Sequence, residues 1–399
     1  MHKNILIFGA GINQVTLIKA CNKLGYHSLV IDPDKDAPGK KFAHQFFRVD
    51  PDDYDTTKQI AEKFNVEGIA TSQMENPLPL MARLAEEKNY IFISPETLEK
   101  SLNKYLMKKI FIKKNIPCAR GKLFKKKFNA KAIEDFSFPL IIKPVDAHSS
   151  RGVFRVESIE EIYQHIDETI SFSKKEEFLI EEFIDGPEYS IESVTFKGKT
   201  TIVQYTEKII TPSPTVVEMG HIQPANLTDS QKQQIDRVVT EAIKALGLDN
   251  TVTHIEVKLS KKGPVVIEVG PRMGGDFISS YLTKTSCGVD LDKATIQISV
   301  GIQPDLTKKI NQYAIVKYFT LPPETVIEEI IDYNLFYNDE DIIFVHLFHK
   351  KGDIVKRVTH SAQRSGVIIL KANDKEKLLD KAQKHVNEFI SLIKTRPIC

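Results

Sequence analysis

The 399-residue sequence contains no tryptophan and only four cysteines, which stand far apart. Cys21, Cys118, Cys287 and Cys399 form no C-x-x-C pair, and this disfavours both a zinc site and a disulfide framework. Cysteines used in this way are typical of a reducing compartment. We therefore predict a cytoplasmic protein.

The sequence also lacks long hydrophobic runs and a strong excess of charge of one sign. The apolar run from Ile5 to Phe8 stops at Gly9, and nowhere do ~18 apolar residues follow one another, so neither export nor a membrane span is expected. The formal net charge of +2 argues against a dedicated nucleic-acid binder. The short basic runs at 125–127 and 108–109 fit a solvated surface.

What the sequence does contain is typical of a globular enzyme with two or three domains. Hydrophobic residues make up 41% and charged residues 27% of the chain. The first hundred residues alternate strand and helix patterns, which predicts a parallel sheet with helices on both faces. The pattern of predicted strands and helices then changes near residue 115 and again after residue 301. We therefore predict an α/β domain at 1–115, a second domain at 116–301 and a small α+β cap domain at 302–399.

The N-terminal turn permits two interpretations. Gly9, Gly11 and Asp32 resemble a dinucleotide fingerprint, in which the acid binds a ribose hydroxyl. Gln14, however, stands where the third glycine belongs, and its bulk obstructs close packing of the helix on the strand. A tight strand-to-helix turn without a dinucleotide is the favoured alternative.

The stretch from His254 to Asp276 carries the clearest chemical signal. Glu256 and Glu268 each interrupt an apolar, β-branched run, and residues 261–264 between the runs read as a hairpin turn. Antiparallel pairing would bring the two acids together on one face. Two facing carboxylates repel, and oxygen ligands of this kind suit Mg²⁺. The alternative is two glutamates that face solvent on an edge strand.

A lysine at the end of a buried strand indicates an anion. The segment P-L-I-I-K-P ends with Lys143, and burial of a lysine is costly unless an anion neutralises it. No acid lies beside Lys143 in the sequence before Asp146, so we expect the anion to be a ligand. The following loop, 145–152, has small and hydroxyl residues whose N–H groups can turn toward phosphate oxygens.

Two further segments give weaker signals. Residues 178–189 read as a strand, a turn and a second strand, and a strand end of this kind can bind the edge of a purine. Residues 211–224 contain three prolines and little periodicity, which predicts a loop that reaches over a site. His221 in that loop is either a substrate contact or a surface histidine.

Taken in order, these motifs resemble those of ATP-grasp ligases. The matching pieces are the helix lysine Lys104, P-L-I-I-K-P, S-S-R-G-V, E-E-F-I-x-G-x-E, H-x-E and E-V-x-P-R-x-G-G. The likeness covers essentially the whole chain and is strongest to the carboxylate–amine ligase branch, with phosphoribosylglycinamide synthetase as a more distant relative. It implies a Rossmann-like N-terminal domain, an ATP-grasp fold and a C-terminal α+β cap.

The resemblance also implies roles for individual residues. Arg272 and Lys143 would be catalytic, and Arg272 would steady the transferred phosphoryl group and the acyl phosphate. Glu256 and Glu268 would bind Mg²⁺. The implied ATP contacts are Lys104, Lys143, Ser149, Ser150, Gly152, Glu181, Phe183, Ile184 and Glu188. The implied substrate contacts are Glu75, His221, Gly274, Gly275 and Asp276.

Two positions depart from the pattern of the family. Gly270 stands where many relatives place a metal-binding asparagine, which leaves the number of Mg²⁺ ions open. His148 and Ser149 replace glycines that are common in the phosphate loop, which implies a less mobile loop.

The expected function is ATP- and Mg²⁺-dependent ligation of a small carboxylate to an amine through an acyl phosphate. Phosphoryl transfer needs charge neutralisation and alignment more than a covalent nucleophile, so the lack of a Ser-His-Asp set is no obstacle. The alternatives are a purine-biosynthesis ligase of the phosphoribosylglycinamide synthetase type and an ATP-binding module without turnover. We expect small-molecule partners only, and a homodimer.

Overall fold

A computed structural model of the chain describes residues 3–147, 151–211 and 217–398. These residues form two compact units. The first unit comprises residues 1–202, 227–274 and 292–304, and the second comprises 203–226, 275–291 and 305–399. The proposed domain boundaries at 115 and 301 stay a prediction.

Among the described residues, helices and strands alternate in the first part of the chain, and runs of consecutive strands follow later. The strands are β1 (Asn4–Phe8), β2 (His27–Asp32), β3 (Gln45–Arg48), β4 (Val66–Thr71), β5 (Gly121–Lys125), β6 (Leu140–Pro144), β7 (Phe154–Val156), β8 (Glu177–Glu182), β9 (Glu188–Phe196), β10 (Lys199–Ile210), β11 (Glu218–Gln223), β12 (Thr251–Ser260), β13 (Gly263–Gly270), β14 (Tyr313–Phe319), β15 (Thr325–Ile330), β16 (Ile342–Leu347), β17 (Ile354–Val355), β18 (Gly366–Ala372) and β19 (Ile393–Pro397). The α-helices are α1 (Val15–Lys23), α2 (Tyr54–Lys63), α3 (Leu78–Lys88), α4 (Pro95–Leu102), α5 (Lys104–Lys113), α6 (Ile159–Ser171), α7 (Asp229–Leu246), α8 (Thr283–Cys287), α9 (Leu291–Ser299) and α10 (Lys375–Ser391).

The first sheet of unit 1 is parallel, as the alternating pattern predicts. Its strand order is β3-β2-β1-β4, and the strand β1 in the middle is almost completely buried. Asp32 at the end of β2 accepts a hydrogen bond from the backbone N–H of Ala10 at 2.6 Å, so this acid fixes the turn after β1. Gln14 is buried and donates from Nε2 to the carbonyl of Ser72. Gln14 therefore occupies the space where the third glycine of a dinucleotide fingerprint would stand, and a turn without a dinucleotide stays a prediction.

The second sheet of unit 1 is antiparallel and has the order β5-β8-β6-β7. Helix α6 begins after the N-cap Ser158, whose hydroxyl accepts from the backbone N–H of Glu161. The apolar face of α6 packs on the sheet through Ile162 and Ile166, and together they form one hydrophobic core. This core holds β6 and β8 side by side.

The third group of strands in unit 1 is β13-β12-β9, all antiparallel. Strands β12 and β13 form the hairpin that the apolar runs around Glu256 and Glu268 predict. Helix α7 covers this hairpin, and its ends match its sequence: Thr228 and Gln231 form a capping box, and Gly247 ends the helix with φ of 76°.

Unit 2 contains two antiparallel groups of strands and the helix α10. The strands follow the orders β10-β11-β14-β18-β16 and β17-β15-β19, and the part of β10 from Val203 onward belongs to this unit. The prediction of a loop over 211–224 is wrong for its second half, because Glu218–Gln223 forms β11. Pro224 follows β11 directly and does not interrupt it, whereas residues 212–216 of the predicted loop, with Pro212 and Pro214, lie outside the described residues.

Within the described ranges, no helix is long and apolar enough to cross a membrane.

Candidate active site

One face of the three strands β9, β12 and β13 carries several acidic and other polar side chains. Each position on this face lies directly opposite its neighbour on the adjacent strand. One row contains Glu192, His254 and Gly270, and the next row contains Ser190, Glu256 and Glu268. The cross-strand pairing of Glu256 with Glu268, predicted from the sequence, is present in the structure. Their role as metal ligands stays a prediction.

Lys104 neutralises part of this acidic row. It is the first residue of α5, and its side chain is buried. Its Nζ atom lies 3.1 Å from Glu268 Oε1 and donates to the carbonyl of Ala147 at 2.6 Å. Burial by itself lowers the pKa of Lys104, but the charges of Glu268 and Glu75 outweigh burial and raise the pKa above its ordinary value. Lys104 is therefore a permanent cation in contact with the acid pair.

The same row contains a buried polar atom that fits a bound group. Ser190 is fully buried, and its hydroxyl has no hydrogen-bond partner among the described residues. It stands opposite Glu256, which is only half-buried. Two carboxylates and a hydroxyl on one face are the oxygen donors that Mg²⁺ and its waters use. The residues present therefore fit a magnesium ion.

Lys143 lies in a buried cluster that the sequence did not predict. Its Nζ is 2.6 Å from Oε1 of Glu181, and the other oxygen of Glu181 is 2.7 Å from Nζ of Lys108. All three side chains are at least 95% buried. The prediction that only a ligand could neutralise Lys143 is wrong, since Glu181 on the neighbouring strand β8 does so. The interpretation of Lys108 as a surface lysine is also wrong.

Two lysines share one carboxylate in this cluster, so it has an excess of one positive charge. Burial and the nearby ammonium groups of Lys108 and Lys104 lower the pKa of Lys143, although Glu181 acts in the opposite direction. Burial alone raises the pKa of Glu181, but Lys108 and Lys143 outweigh it and hold the pKa below its usual range. Glu181 is therefore ionised, and Lys143 is the group with incomplete compensation.

The other predicted nucleotide contacts lie beside this cluster in the chain. Phe183 follows β8, and its ring lies under the guanidinium of Arg155 at 4.4 Å and the ammonium of Lys258 at 4.8 Å. Ile184 is half-buried, and Glu188 begins β9 opposite Lys258.

The phosphate loop is described only in part. Ser149 and Ser150 lie outside the described residues. Gly152 has φ of 68°, and a Cβ atom there would lie 2.8 Å from the ring of Phe172. Any other residue at this position would be both strained and crowded.

Arg272 forms an ion pair with Glu75, which is an acid of the N-terminal α/β region. Nη2 and Nε of Arg272 donate to Oε1 of Glu75 at 2.6 and 3.1 Å, and Nη1 donates to the carbonyl of Met273. Burial by itself lowers the pKa of Arg272, but Glu75 outweighs burial and raises it. The structure thus brings together two predicted site residues that are 197 positions apart.

The segment after Arg272 is held by a buried carboxylate. Oε1 of Glu192 lies 2.5 Å from Nδ1 of His254, and Oε2 accepts from the backbone N–H of Gly274 at 3.2 Å. Glu192 is completely buried. A Cβ atom on Gly274 would lie 2.6 Å from both Glu192 Oε1 and His254 Nδ1. Gly274 is therefore required for packing at this point.

We expect Gly274→Ala to destabilise the protein by about 1–3 kcal/mol, the range for an overpacked buried site. The measurement is the free energy of unfolding in urea. Gly275→Ala is the matched control, because a Cβ atom there has no heavy atom within 4 Å among the described residues. Equal stability of the two variants would contradict the role assigned to Gly274.

In unit 2, two predicted substrate residues form a second polar cluster. Asp276 accepts two hydrogen bonds from Arg364, each 2.7 Å long, and faces Nε2 of His221 at 3.1 Å. The guanidinium of Arg364 also stacks on the ring of Tyr318 at 3.5 Å. Burial alone raises the pKa of Asp276, but the hydrogen bonds from Arg364 and His221 outweigh it and hold the pKa far below its usual range. His221 is thus a buried residue and not a surface histidine.

Several residues of these clusters were not predicted from the sequence, among them Lys108, Glu192, His254 and Arg364. Lys108 had a detectable signal, since it stands one helical turn after Lys104. Glu192 is an acid inside the otherwise buried strand β9, and His254 belongs to the H-x-E motif. We find no sequence signal for Arg364.

Comparison with known protein families identifies two domains in the chain. Residues 136–280 match the ATP-grasp domain, and residues 1–101 match the ribonucleotide synthetase preATP-grasp domain. The two matches together span more than half of the chain. The chain therefore contains an ATP-grasp domain and, ahead of it, a preATP-grasp domain.

Several ligases that join a carboxylate to an amine are similar to this chain. It is 27% identical to alanine–anticapsin ligase of Bacillus amyloliquefaciens over 63% of this chain and 57% of that protein. The L-amino acid ligase of Bacillus licheniformis has the same fold, with a TM-score of 0.84, 23% identity and coverage of 100% of this chain and 99% of that one. The chain spans less than two thirds of the length of several curated relatives that it matches.

Other ATP-grasp structures share the fold over the whole chain. Phosphoribosylglycinamide synthetase of Anaerococcus prevotii has a TM-score of 0.79 and 25% identity, with full coverage of both chains. The biotin carboxylase domain of the 2-oxoglutarate carboxylase of Hydrogenobacter thermophilus, solved with MgADP and bicarbonate, has a TM-score of 0.78 and 20% identity, over 99% of this chain and 92% of that one. The prediction of an ATP-grasp fold preceded by a parallel-sheet domain is confirmed.

Proposed function

We propose that the protein is an ATP- and Mg²⁺-dependent ligase that joins a small carboxylate to an amine. ATP phosphorylates the carboxylate, ADP leaves, and the amine attacks the carbonyl carbon of the acyl phosphate. Inorganic phosphate then leaves, and the amine loses a proton. The observation that carries this proposal is the shared carboxylate of Lys108 and Lys143, because their uncompensated positive charge is buried and calls for an anion such as a polyphosphate.

The proposed roles follow from the charges of the residues. Lys104 and Lys143 bind phosphate oxygens, and Glu256 and Glu268 hold Mg²⁺, which neutralises phosphate charge when bound. Arg272 is poised to bind the transferred phosphoryl group, because its planar guanidinium already makes two hydrogen bonds to one carboxylate oxygen of Glu75. Alignment and charge neutralisation are what phosphoryl transfer requires.

The remaining assignments rest on the family resemblance. The adenine and ribose contacts are Glu181, Phe183, Ile184 and Glu188, and Ser149, Ser150 and Gly152 close over the phosphates. The substrate contacts are Glu75, His221, Gly274, Gly275 and Asp276. We also propose a cytoplasmic location, a homodimer and the three-domain division at 115 and 301.

The experiment that tests the ligase is a screen of small carboxylates against amines, with amino acids among both, while ADP and phosphate release are measured. We expect release that requires both substrates and Mg²⁺, together with a new amide detected by mass spectrometry. Release with the carboxylate alone would indicate a different acceptor. No release across a broad panel, together with tight ATP binding, would favour a binding module without turnover.

A phosphoribosylglycinamide synthetase is the second candidate, favoured by the 25% identity over the complete length of both chains. Formation of phosphoribosylglycinamide in the same assay would select this candidate. Amide formation from two amino acids would reject it.

A further inference from the structure

Unit 1 contains a small cavity beside the ion pair of Arg272 and Glu75. Its volume is about 40 Å³. One wall is the segment 271–273, which includes Arg272 itself, and another contains Thr71 and Leu78, which stand on either side of Glu75 in the chain. The other walls come from the loop before α4, the start of β12 and helix α9. The cavity therefore adjoins the residue to which the proposed function assigns the transferred phosphoryl group.

The walls of the cavity favour an aliphatic group over a polar one. Three hydroxyl groups on the walls already donate to backbone carbonyls, those of Thr71, Thr251 and Ser299. A ligand gains little from a hydroxyl that is already satisfied, and a polar ligand atom among apolar side chains would lose its water without compensation. The fully buried apolar residues of the walls are Ile69, Ala70, Leu78, Val252, Met273 and Ile298.

Arg272 is the charged residue of the described walls, and it keeps hydrogen-bond donors for a ligand. A guanidinium has five N–H donors. Nε and Nη2 donate to Glu75, and Nη1 donates to the carbonyl of Met273. Three of the five donors are used in this way within the described residues, so two remain, one on each Nη atom. Two donors on neighbouring nitrogens are what a carboxylate accepts in a bidentate pair.

The volume of the cavity limits the group that fits. An apolar cavity of ~150 Å³ is needed to hold a benzene ring, and one water molecule occupies ~30 Å³ in the liquid. The cavity of about 40 Å³ is therefore too small for an aromatic side chain. It suits an alkyl group of about one to three carbon atoms.

We propose that the acid substrate is a carboxylate with a short aliphatic side chain, which lies in this cavity while its carboxylate binds the two remaining donors of Arg272. This inference rests on the proposed function, which places activation of the carboxylate at Arg272. It adds Ile91 as a specificity-determining residue. Ile91 lines the cavity from the loop between α3 and α4 and is only half-buried, so its side chain can be shortened at lower cost than one in the core.

The first test measures binding without turnover. The full chain, labelled with ¹³C at the δ1 methyl groups of isoleucine and loaded with Mg²⁺ and ADP, is titrated with three amino acids and with their analogues that lack the amino group. The amino acids are alanine, valine and phenylalanine. Ile69, Ile91 and Ile298 line the cavity, so their methyl signals report entry of a side chain. We expect these three signals to shift with alanine- and valine-sized acids and not with phenylalanine-sized acids.

Other outcomes of the titration would overturn the proposal. Equal shifts with phenylalanine-sized acids would show that the cavity does not select by size. Shifts confined to other isoleucines, or no shifts with any acid, would show that the cavity is not the side-chain site. The ligase proposal would survive these outcomes, because release of ADP and phosphate tests it separately.

A variant of Ile91 gives a kinetic readout. For acids that differ by one methylene, such as valine and leucine, we expect the wild-type protein to favour the smaller acid by at least about 10-fold in kcat/KM, the range for one methylene in an apolar pocket. Ile91→Ala should reduce this ratio by about 10-fold, because it lengthens the cavity. Ile112→Ala is the control, since Ile112 is exposed on α5 and does not line the cavity.

The same ratio in Ile91→Ala and Ile112→Ala would contradict the role of Ile91 and the proposal with it. If Ile91→Ala does not fold, the titration of the wild-type protein decides the matter. If no acid supports release of ADP, the proposed function fails, and the titration still shows whether the cavity binds a short aliphatic side chain.

Discussion

Arg272→Lys is expected to lower kcat by about 10²–10³-fold, the effect of removing one preorganised donor to developing charge. The guanidinium uses two nitrogens on one oxygen of Glu75 and a third on the carbonyl of Met273. A lysine ammonium keeps the positive charge but cannot reproduce this planar arrangement. Because a cation remains beside Glu75, the protein should still fold. The measurement is steady-state ADP release, with kcat and KM for ATP determined separately.

The split between kcat and KM distinguishes catalysis from structure. If Arg272 acts on the transferred phosphoryl group, kcat falls while KM for ATP stays near the wild-type value. Glu75→Gln is the matched control, since it weakens the same ion pair and retains the guanidinium. A loss of kcat in Glu75→Gln as large as that in Arg272→Lys would show that Glu75 or its ion pair, and not the guanidinium alone, matters. Wild-type kcat in Arg272→Lys would remove Arg272 from the catalytic residues.

The hairpin of Glu256 and Glu268 was predictable because its signals are local. Two alternating runs and a short turn between them determine which residues face each other, and a slip by one position would turn the buried residues to the opposite face. The parallel sheet of the first hundred residues was predictable for a similar reason, since a repeated strand–helix alternation has few other arrangements.

The ion-pair partners were not predictable, because each one joins distant segments. Glu181 is 73 positions from Lys108, and Arg364 is 88 positions from Asp276. Nothing in the sequence around Lys143 indicates that a strand added later in the chain delivers an acid beside it. The loop predicted at 211–224 was wrong for a different reason in its second half: the prolines suggested an irregular chain, but residues 218–223 form β11 directly before Pro224. The alternation of apolar and polar residues in β11 is too short to favour a strand over the loop that the prolines suggest.

The buried cluster around Glu181 leads to the second large effect. We expect Glu181→Gln to destabilise the protein by about 3–5 kcal/mol, because it leaves the ammonium groups of Lys108 and Lys143 buried beside a neutral amide. Glu182→Gln is a closely matched control. Glu182 is the next residue of the chain and pairs with Arg120 at the same 2.7 Å, but both partners are partly exposed. Its loss should cost less than about 1 kcal/mol.

Lys108→Met tests whether the cluster has an excess of positive charge, because its effect on the free energy of unfolding should have opposite signs in two backgrounds. In the wild-type background it removes one of two partners of Glu181 and should destabilise the protein. In the Glu181→Gln background the same substitution removes an uncompensated buried cation, so it should stabilise the protein. The measurement is the free energy of unfolding of the four proteins in urea. A destabilising effect of Lys108→Met in both backgrounds would show that its aliphatic packing, and not its charge, dominates.

Nucleotide binding connects this cluster to the proposed function. If the excess positive charge is the site of the phosphates, a bound polyphosphate supplies the anion that Glu181→Gln has lost. ATP at a fixed concentration should then raise the melting temperature of Glu181→Gln more than that of the wild-type protein, since stabilisation grows with affinity. Glu182→Gln should respond like the wild type. An equal or smaller shift of the melting temperature in Glu181→Gln would mean that the lysines do not contact the phosphates of ATP. The assignment of Lys143 as an ATP ligand would then be wrong.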